Sequence, residues 1–414
     1  MKKKLFFGLC VAAATVTATA QVNAVKEAER AAKDGNYKAA MELLQPAFTN
    51  DETANDAKTW FVAGKAGFEY YDNQYALKSI GKEADAKAMG AALINSYGYL
   101  TKALPLDSLP NEKGKIKPRF SKEIVKLIQS HYNDFNNAAI FMWEAQDWQG
   151  AYDAWNVLIN APSDPVLGAN APKAYADSTL AEIIYNQGLA AWQMDSLRMS
   201  LACFEKAIEK GYSKKQVFDY AINHAAQLRD NDKVYQLAEQ AYKLHGSENP
   251  LYLQLMINGR IEHEQYNEAR QMLDDAIAAN PDDAQLYYVK GILFESQKDK
   301  EDKEDKKNEY AEEAYKMYET AIEKNPELAQ AQYALGRAIC TKAYKINDEA
   351  VNMPNAEYQK IREGKVNPLF REAAEHLERA LEIDPDNSHD VRVYLKNIYY
   401  NLGDEENLKR IENY

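Results

Sequence analysis

Ala321-Ile322-Glu323-Lys324-Asn325-Pro326 and Ala380-Leu381-Glu382-Ile383-Asp384-Pro385 are nearly the same phrase, written twice in one chain. Each closes a longer pattern. Ala314, Tyr318, Ala321 and Pro326 recur as Ala373, Leu377, Ala380 and Pro385. Steps of four and three residues put the first three of each set on one face of a helix. Proline, which lacks a backbone N–H, stops that helix. Ahead of each set stand the marks of another helix: Tyr287, Gly291 and Phe294, then Leu335 and Gly336.

The pattern extends outward in steps of 34 residues, with a slip of one residue ahead of Pro250. A unit opening at Ala181 carries Gly188, Ser200, Phe204 and Ala207. The next, from Lys215, carries Val234, Ala238 and Ala241. A third, from Pro250, carries Ala269, Leu273, Ala276 and Pro281, and a fourth opens at Ala284. Toward the N-terminus the spacing loosens. Residues 21–54 hold Gly35, Tyr37, Ala40, Leu44 and Ala47, and residues 132–165 hold Ala139, Trp148, Ala151, Trp155 and Leu158. Between them Trp60, Gly64, Ser96, Leu100 and Ala103 make a unit with an insertion around 72–90. Leu395, Tyr399, Gly403 and Asp404 suit a last first helix and turn.

A recurrence of this length is the signature of stacked supersecondary units. It resembles the tetratricopeptide repeat, a helix–turn–helix with small residues eighth, twentieth and twenty-seventh, a large apolar residue twenty-fourth and Pro thirty-second. Small residues let two helices approach, and large ones fill the space beside them. The resemblance implies an all-α fold, a right-handed α-solenoid of stacked helix–turn–helix repeats. It divides the chain into a leader at 1–20, divergent units with insertions at 21–165, and an array at 181–414. Within the array, units lie near 181–214, 215–248, 250–283, 284–328, 329–387 and 389–414. Segment 109–131 interrupts the pattern as a loop plus an extra helix, and 161–180, with Pro162, Pro165, Gly168 and Pro172, is a shorter break; either one is open as a bend between an N-terminal and a C-terminal sub-array. The charged run Lys298–Glu309 reads as a solvated helix extension, with Asp299/Lys303 and Asp302/Lys306 spaced as surface pairs.

The first twenty residues have the order of a secretory leader: Lys2, Lys3 and Lys4, a short apolar stretch from Leu5 to Val16, then Ala18-Thr19-Ala20. Cleavage is expected before Gln21. The apolar stretch is too short to span a bilayer, which takes about 20 residues. Leu9 ahead of Cys10 is a poor lipidation context. The chain carries 50 basic and 63 acidic residues, a net charge of −13, and loss of the three leader lysines takes it near −16. No basic stripe appears, so nucleic acid is not an expected partner, nor is an anionic membrane surface. Beyond the leader, Cys203 and Cys340 are too few for a disulfide framework and read as buried thiols.

Catalytic signatures are missing from the sequence. His263-Glu264 lacks the second His of a zinc-protease helix. No two of the six His lie three or four residues apart, so no zinc-ligand spacing appears. Gly81-Lys82, Gly114-Lys115 and Gly364-Lys365 close no phosphate-binding loop. The expectation is a protein that is not an enzyme, with no cofactor and no metal.

The resemblance places the second, fifth, ninth, twelfth and thirteenth residues of each first helix on a binding groove. Carried over, these are Tyr185, Leu189 and Trp192; Asp219, Asn223 and Gln227; Gln254, Asn258 and Glu262; Tyr288 and Glu295; Tyr333 and Arg337. The residues singled out for a partner are Tyr185, Trp192, Asn223, Asn258, Tyr288, Tyr333 and Arg337. Amides bond an extended or helical peptide, and rings anchor it. Asp219 and Gln254 stand where the family's carboxylate clamp needs Lys, so that clamp is not expected. The implied function is an exported scaffold or adaptor in the cell envelope, periplasmic or at the outer membrane, holding a protein or peptide. The alternative is an outer-membrane protein capturing a ligand or glycan on the same helices. An incomplete last hairpin at Tyr414 leaves self-association open.

Overall fold

The computed structural model describes residues 21–111, 113–246, 249–386 and 388–413; the leader, its cleavage point, Cys10 and Tyr414 lie outside them, apart from Gln21. Every regular element among the described residues is helical, and a single antiparallel bridge joins Pro110 to Ile116. The chain forms two compact units, Met1–Leu237 and Ala238–Tyr414.

The first unit holds α1 (21–33), α2 (Tyr37–Leu44), α3 (Ala57–Ser79), α4 (Ala86–Asp107), α5 (Ser121–Ser130), α6 (Asp134–Glu144), α7 (Trp148–Asn160), α8 (Asp177–Gln193), α9 (Leu197–Glu209) and α10 (Lys215–Gln227). The unit boundary falls inside α11 (Asn231–His245). The second unit continues with α12 (Pro250–Glu262), α13 (Tyr266–Ala279), α14 (Ala284–Lys300), α15 (Glu304–Lys324), α16 (Ala329–Ala350), α17 (Asn355–Ile361), α18 (Asn367–Ile383), α19 (His389–Leu402) and α20 (Glu405–Glu412).

Helix starts follow the side chains that cap them. Asn36, Asp56, Asp85, Asp147, Asn249, Asp283 and Asp404 each accept a bond from a backbone N–H in the first turn, which satisfies donors a helix leaves open. The turn from first to second helix recurs in the backbone even where the sequence varies. Gln146, Asp195, Arg229 and Glu264 all sit at φ between 55° and 59°, and the last three stand 34 and 35 residues apart. Gly35 and Gly403 hold the same left-handed position in the first and last hairpins. A non-glycine residue there costs roughly 1–2 kcal/mol. The hairpin packing imposes it.

That packing is an interlock. A Cβ on Gly188 of α8 would lie 2.7 Å from Phe204 of α9, and one on Gly291 of α14 would lie 2.3 Å from Tyr318 of α15. Gly64 meets Leu100, and Gly336 meets Leu377, in the same way. In these four hairpins the glycine of the first helix is therefore the socket for the large residue of its own second helix. Phe204, Tyr318, Leu100 and Leu377 are fully buried.

Insertions lengthen helices. The residues around 72–90 extend α3 to 23 residues and α4 to 22. In the charged run α14 continues to Lys300 and α15 begins at Glu304. The turn between them separates Asp299 from Lys303 and Asp302 from Lys306. Lys300 pairs instead with Glu264 at 2.6 Å, Lys345 with Glu304 at 2.5 Å, and Lys306 with Glu301 at 3.9 Å. The segment 161–180 packs inside the first unit, where Leu167 is buried in the same core as Trp155 and Leu158. Cys203 and Cys340 are buried free thiols, and burial pushes them up to about 11 and about 12. No helix among the described residues is long and apolar enough to cross a membrane.

Candidate functional site

In the first unit, spacing along α6 and α8 brings four side chains to one pocket. Ile140 and Trp143 lie three apart on α6, and Asn186 and Leu189 three apart on α8. With Trp155 of α7 they line a recess of about 170 Å³. Trp155 is fixed by donating from Nε1 to Asn136 Oδ1 at 3.1 Å. Trp143 is set edge-on to Trp148 at 4.7 Å and tilted against Trp155 at 6.4 Å. Ile140 stays 41% exposed. An apolar floor with an amide at its edge accepts an apolar side chain and bonds the chain that carries it.

Tyr185 and Trp192 share the α8 face with Leu189. Both are half-buried. Tyr185 stacks on Tyr212 at 4.6 Å, and burial pushes its phenol up to about 12. Trp192 packs edge-on against Tyr220 and His224 of α10, at 4.9 and 4.8 Å. These two rings carry the wall of the face, and their partners leave an edge of each accessible. Asn223 of α10 is exposed and accepts from Gln227 Nε2 at 2.5 Å. Behind it His224 is fully buried, and neither ring nitrogen has a hydrogen-bond partner. Burial holds that imidazole below its ordinary pKa.

In the second unit, Asn258 of α12 is half-buried. Tyr288, Tyr333 and Arg337 come together around Glu295. Arg337 of α16 pairs with Glu295 of α14, and Tyr318 donates to the same carboxylate at 2.9 Å. The Arg337 guanidinium also lies 5.9 Å over the Tyr333 ring, which meets Tyr394 of α19 edge-on at 6.1 Å. Tyr288 tilts against Tyr318 at 6.0 Å. Arg337 is thus committed to tying α14 to α16, and the Tyr288 and Tyr333 rings frame it. Beside them the extended α14, α15 and α16 enclose a cleft of about 580 Å³, lined by Tyr315, Lys307, Lys342 and Lys345 among others. Lys342 pairs with Glu312 at 3.0 Å there.

Sequence reasoning gave Leu189, Tyr185 and Trp192 but missed Ile140, Trp143 and Asn186. Ile140 and Trp143 are the ninth and twelfth residues of the 132–165 unit, so the same positions in that looser unit signal them, whereas Asn186 is sixth in its unit and no groove position points to it.

Residues 256–314, from α12 to α15, match the tetratricopeptide repeat family profile. Over that stretch the chain carries the tetratricopeptide repeat. Solved structures of repeat proteins are similar over long stretches. YrrB, described as a tetratricopeptide-repeat protein with an unusual peptide-binding site, is 21% identical, with 52% of this chain and 92% of that chain covered and a TM-score of 0.32. MamA from Desulfovibrio magneticus is 16% identical, covering 50% and 96% at 0.33. The C-terminal part of a repeat protein from Cytophaga hutchinsonii is 12% identical, covering 67% and 92% at 0.36. No curated relative matches. The repeats are of the kind that forms scaffolds for protein and peptide partners.

Proposed function

We propose that this is an exported scaffold of the cell envelope, non-catalytic, which holds a protein or peptide segment on the first-helix faces of its repeats. The observation that carries the reading is the recess formed by Ile140, Trp143, Trp155, Asn186 and Leu189. It combines rigid rings, an exposed aliphatic edge and one amide: Ile140, Trp143 and Leu189 stand at groove positions of successive first helices, and Trp155 of the second helix α7 and Asn186 complete it. Well-packed aromatic pockets of this sort concentrate binding energy. A chain with a net charge of −13 favours a basic segment next to the apolar anchor. The leader, read from Lys2 through Ala20, is what supports export.

Selection of a random displayed-peptide library on the purified protein tests this. Peptides with an apolar anchor beside Lys or Arg should be enriched. Ile140→Asp combined with Leu189→Asp should weaken the selected peptide about 30-fold, the equivalent of roughly 2 kcal/mol at one anchor, with helical circular dichroism unchanged. Absence of enrichment, or equal affinity for the double variant, contradicts the proposal. The cleft between α14, α15 and α16 is the feature that favours the glycan-capture alternative, because its size suits a small ligand. Lys342 and Lys345 are already paired there with Glu312 and Glu304, which favours a solvated extension.

A further inference from the structure

Two carboxylates and one imidazole converge in the first unit, away from the recess. Asp72 stands on α3, His131 ends α5, and Asp134 opens α6. One ligand atom from each lies within 4.8 Å of the other two. The His131 ring is 7% exposed and clamped flat against Phe68, with centroids 4.2 Å apart and planes 8° from parallel. Its Nδ1 lies 2.8 Å from the Leu127 carbonyl oxygen, so it donates there as N–H. Nε2 is left facing the carboxylates, 3.2 Å from Asp72 Oδ1. A histidine oriented by a backbone carbonyl through one nitrogen, with the other turned to carboxylates, has the orientation of a metal ligand. The 3.2 Å separation also matches the edge of a tetrahedron with bonds of 2.0 Å, about 3.3 Å.

Charge balance points the same way. Among the described residues neither Asp72 nor Asp134 pairs with Lys or Arg; Asp72 pairs with His131 alone. The group sets two carboxylates against one imidazole, a surplus of acidic side chains. Asp72 is 59% exposed at its side chain, which leaves an entry and a position for water.

We propose that Asp72, His131 and Asp134 hold a divalent cation of the zinc class, which ties α3 to the α5–α6 junction. One nitrogen and two carboxylate oxygens suit zinc or cobalt, whereas magnesium prefers an oxygen octahedron. The cation neutralises the surplus charge and binds only the folded unit, so it raises stability in proportion to occupancy.

The test uses tag-free protein stripped with a chelator. Titration calorimetry with zinc chloride should give one equivalent, cobalt should give visible absorption of a low-coordinate nitrogen–oxygen site, and magnesium chloride should give no heat. Asp72→Asn and Asp134→Asn should each weaken zinc at least tenfold and abolish its effect on the melting temperature, with circular dichroism unchanged. Absence of saturable binding at one equivalent overturns the proposal. So does unchanged affinity in Asp72→Asn, a surface substitution that leaves the fold intact even if Asp134→Asn does not.

Discussion

Tyr318→Ala should destabilise the second unit by about 3–5 kcal/mol, whereas Tyr318→Phe should cost about 1–2 kcal/mol. The ring is fully buried and fills the socket left by Gly291, so its removal opens a cavity at the centre of the α14–α15 hairpin. The hydroxyl makes a separable contribution. It donates to Glu295, which also holds Arg337 of the next hairpin. Its loss leaves the carboxylate with the guanidinium alone. Repeat units unfold in part, so hydrogen exchange resolved along the chain is the appropriate readout. Protection should fall in α14–α16 for both variants and fall much further for Ala. Equal effects would mean that the hydroxyl, and not the ring, dominates.

A second large effect is expected at Asp107. This buried carboxylate accepts from the backbone N–H groups of Arg119, Phe120 and Ser121, at 3.0, 2.8 and 2.7 Å, and from the Ser121 hydroxyl at 2.7 Å. It anchors the segment after α4 and satisfies donors at the start of α5, for which Phe120 provides no side-chain cap. Asp107→Ala should cost about 3 kcal/mol, since several donors to an ionised acceptor lose it at once. Asp107→Asn should cost less, because its oxygen still accepts. Burial raises the carboxyl, but these bonds outweigh it and leave its pKa below the ordinary Asp value. The folded pKa is the lower one, so its stabilisation is present above the unfolded pKa near 3.8. It is lost as pH falls through the folded value. Acid titration of wild type should show a loss of stability there that the Asn variant lacks.

The hairpins were legible because their geometry rests on residue size at fixed spacing. Gly188 with Phe204 and Gly291 with Tyr318 can be paired from sequence, and the structure pairs them. The turn conformation was not legible. Gln146, Asp195, Arg229 and Glu264 share a left-handed backbone without sharing chemistry, and packing on either side enforces it. The pairs Asp299/Lys303 and Asp302/Lys306 assumed one continuous helix, and a turn at 301–303 redirects those charges. Of the site residues, Tyr288, Tyr333 and Arg337 share the first-helix faces as their positions implied. That Arg337 is spent on Glu295 is a property of the neighbouring hairpin, which spacing within one repeat does not report. Asp72, His131 and Asp134 escaped a search for paired histidines because only one imidazole is present and α3 supplies the distant ligand.

The central claim is that the first-helix faces, and not the second, meet the partner. Photo-crosslinking from benzoylphenylalanine placed at Ile140, at Leu189 or at Lys206, which is exposed on the second helix α9, tests it in intact cells. A discrete adduct from positions 140 and 189, with none from 206, is the expected result. An adduct of equal strength from 206, or none from 140 and 189, would contradict the account.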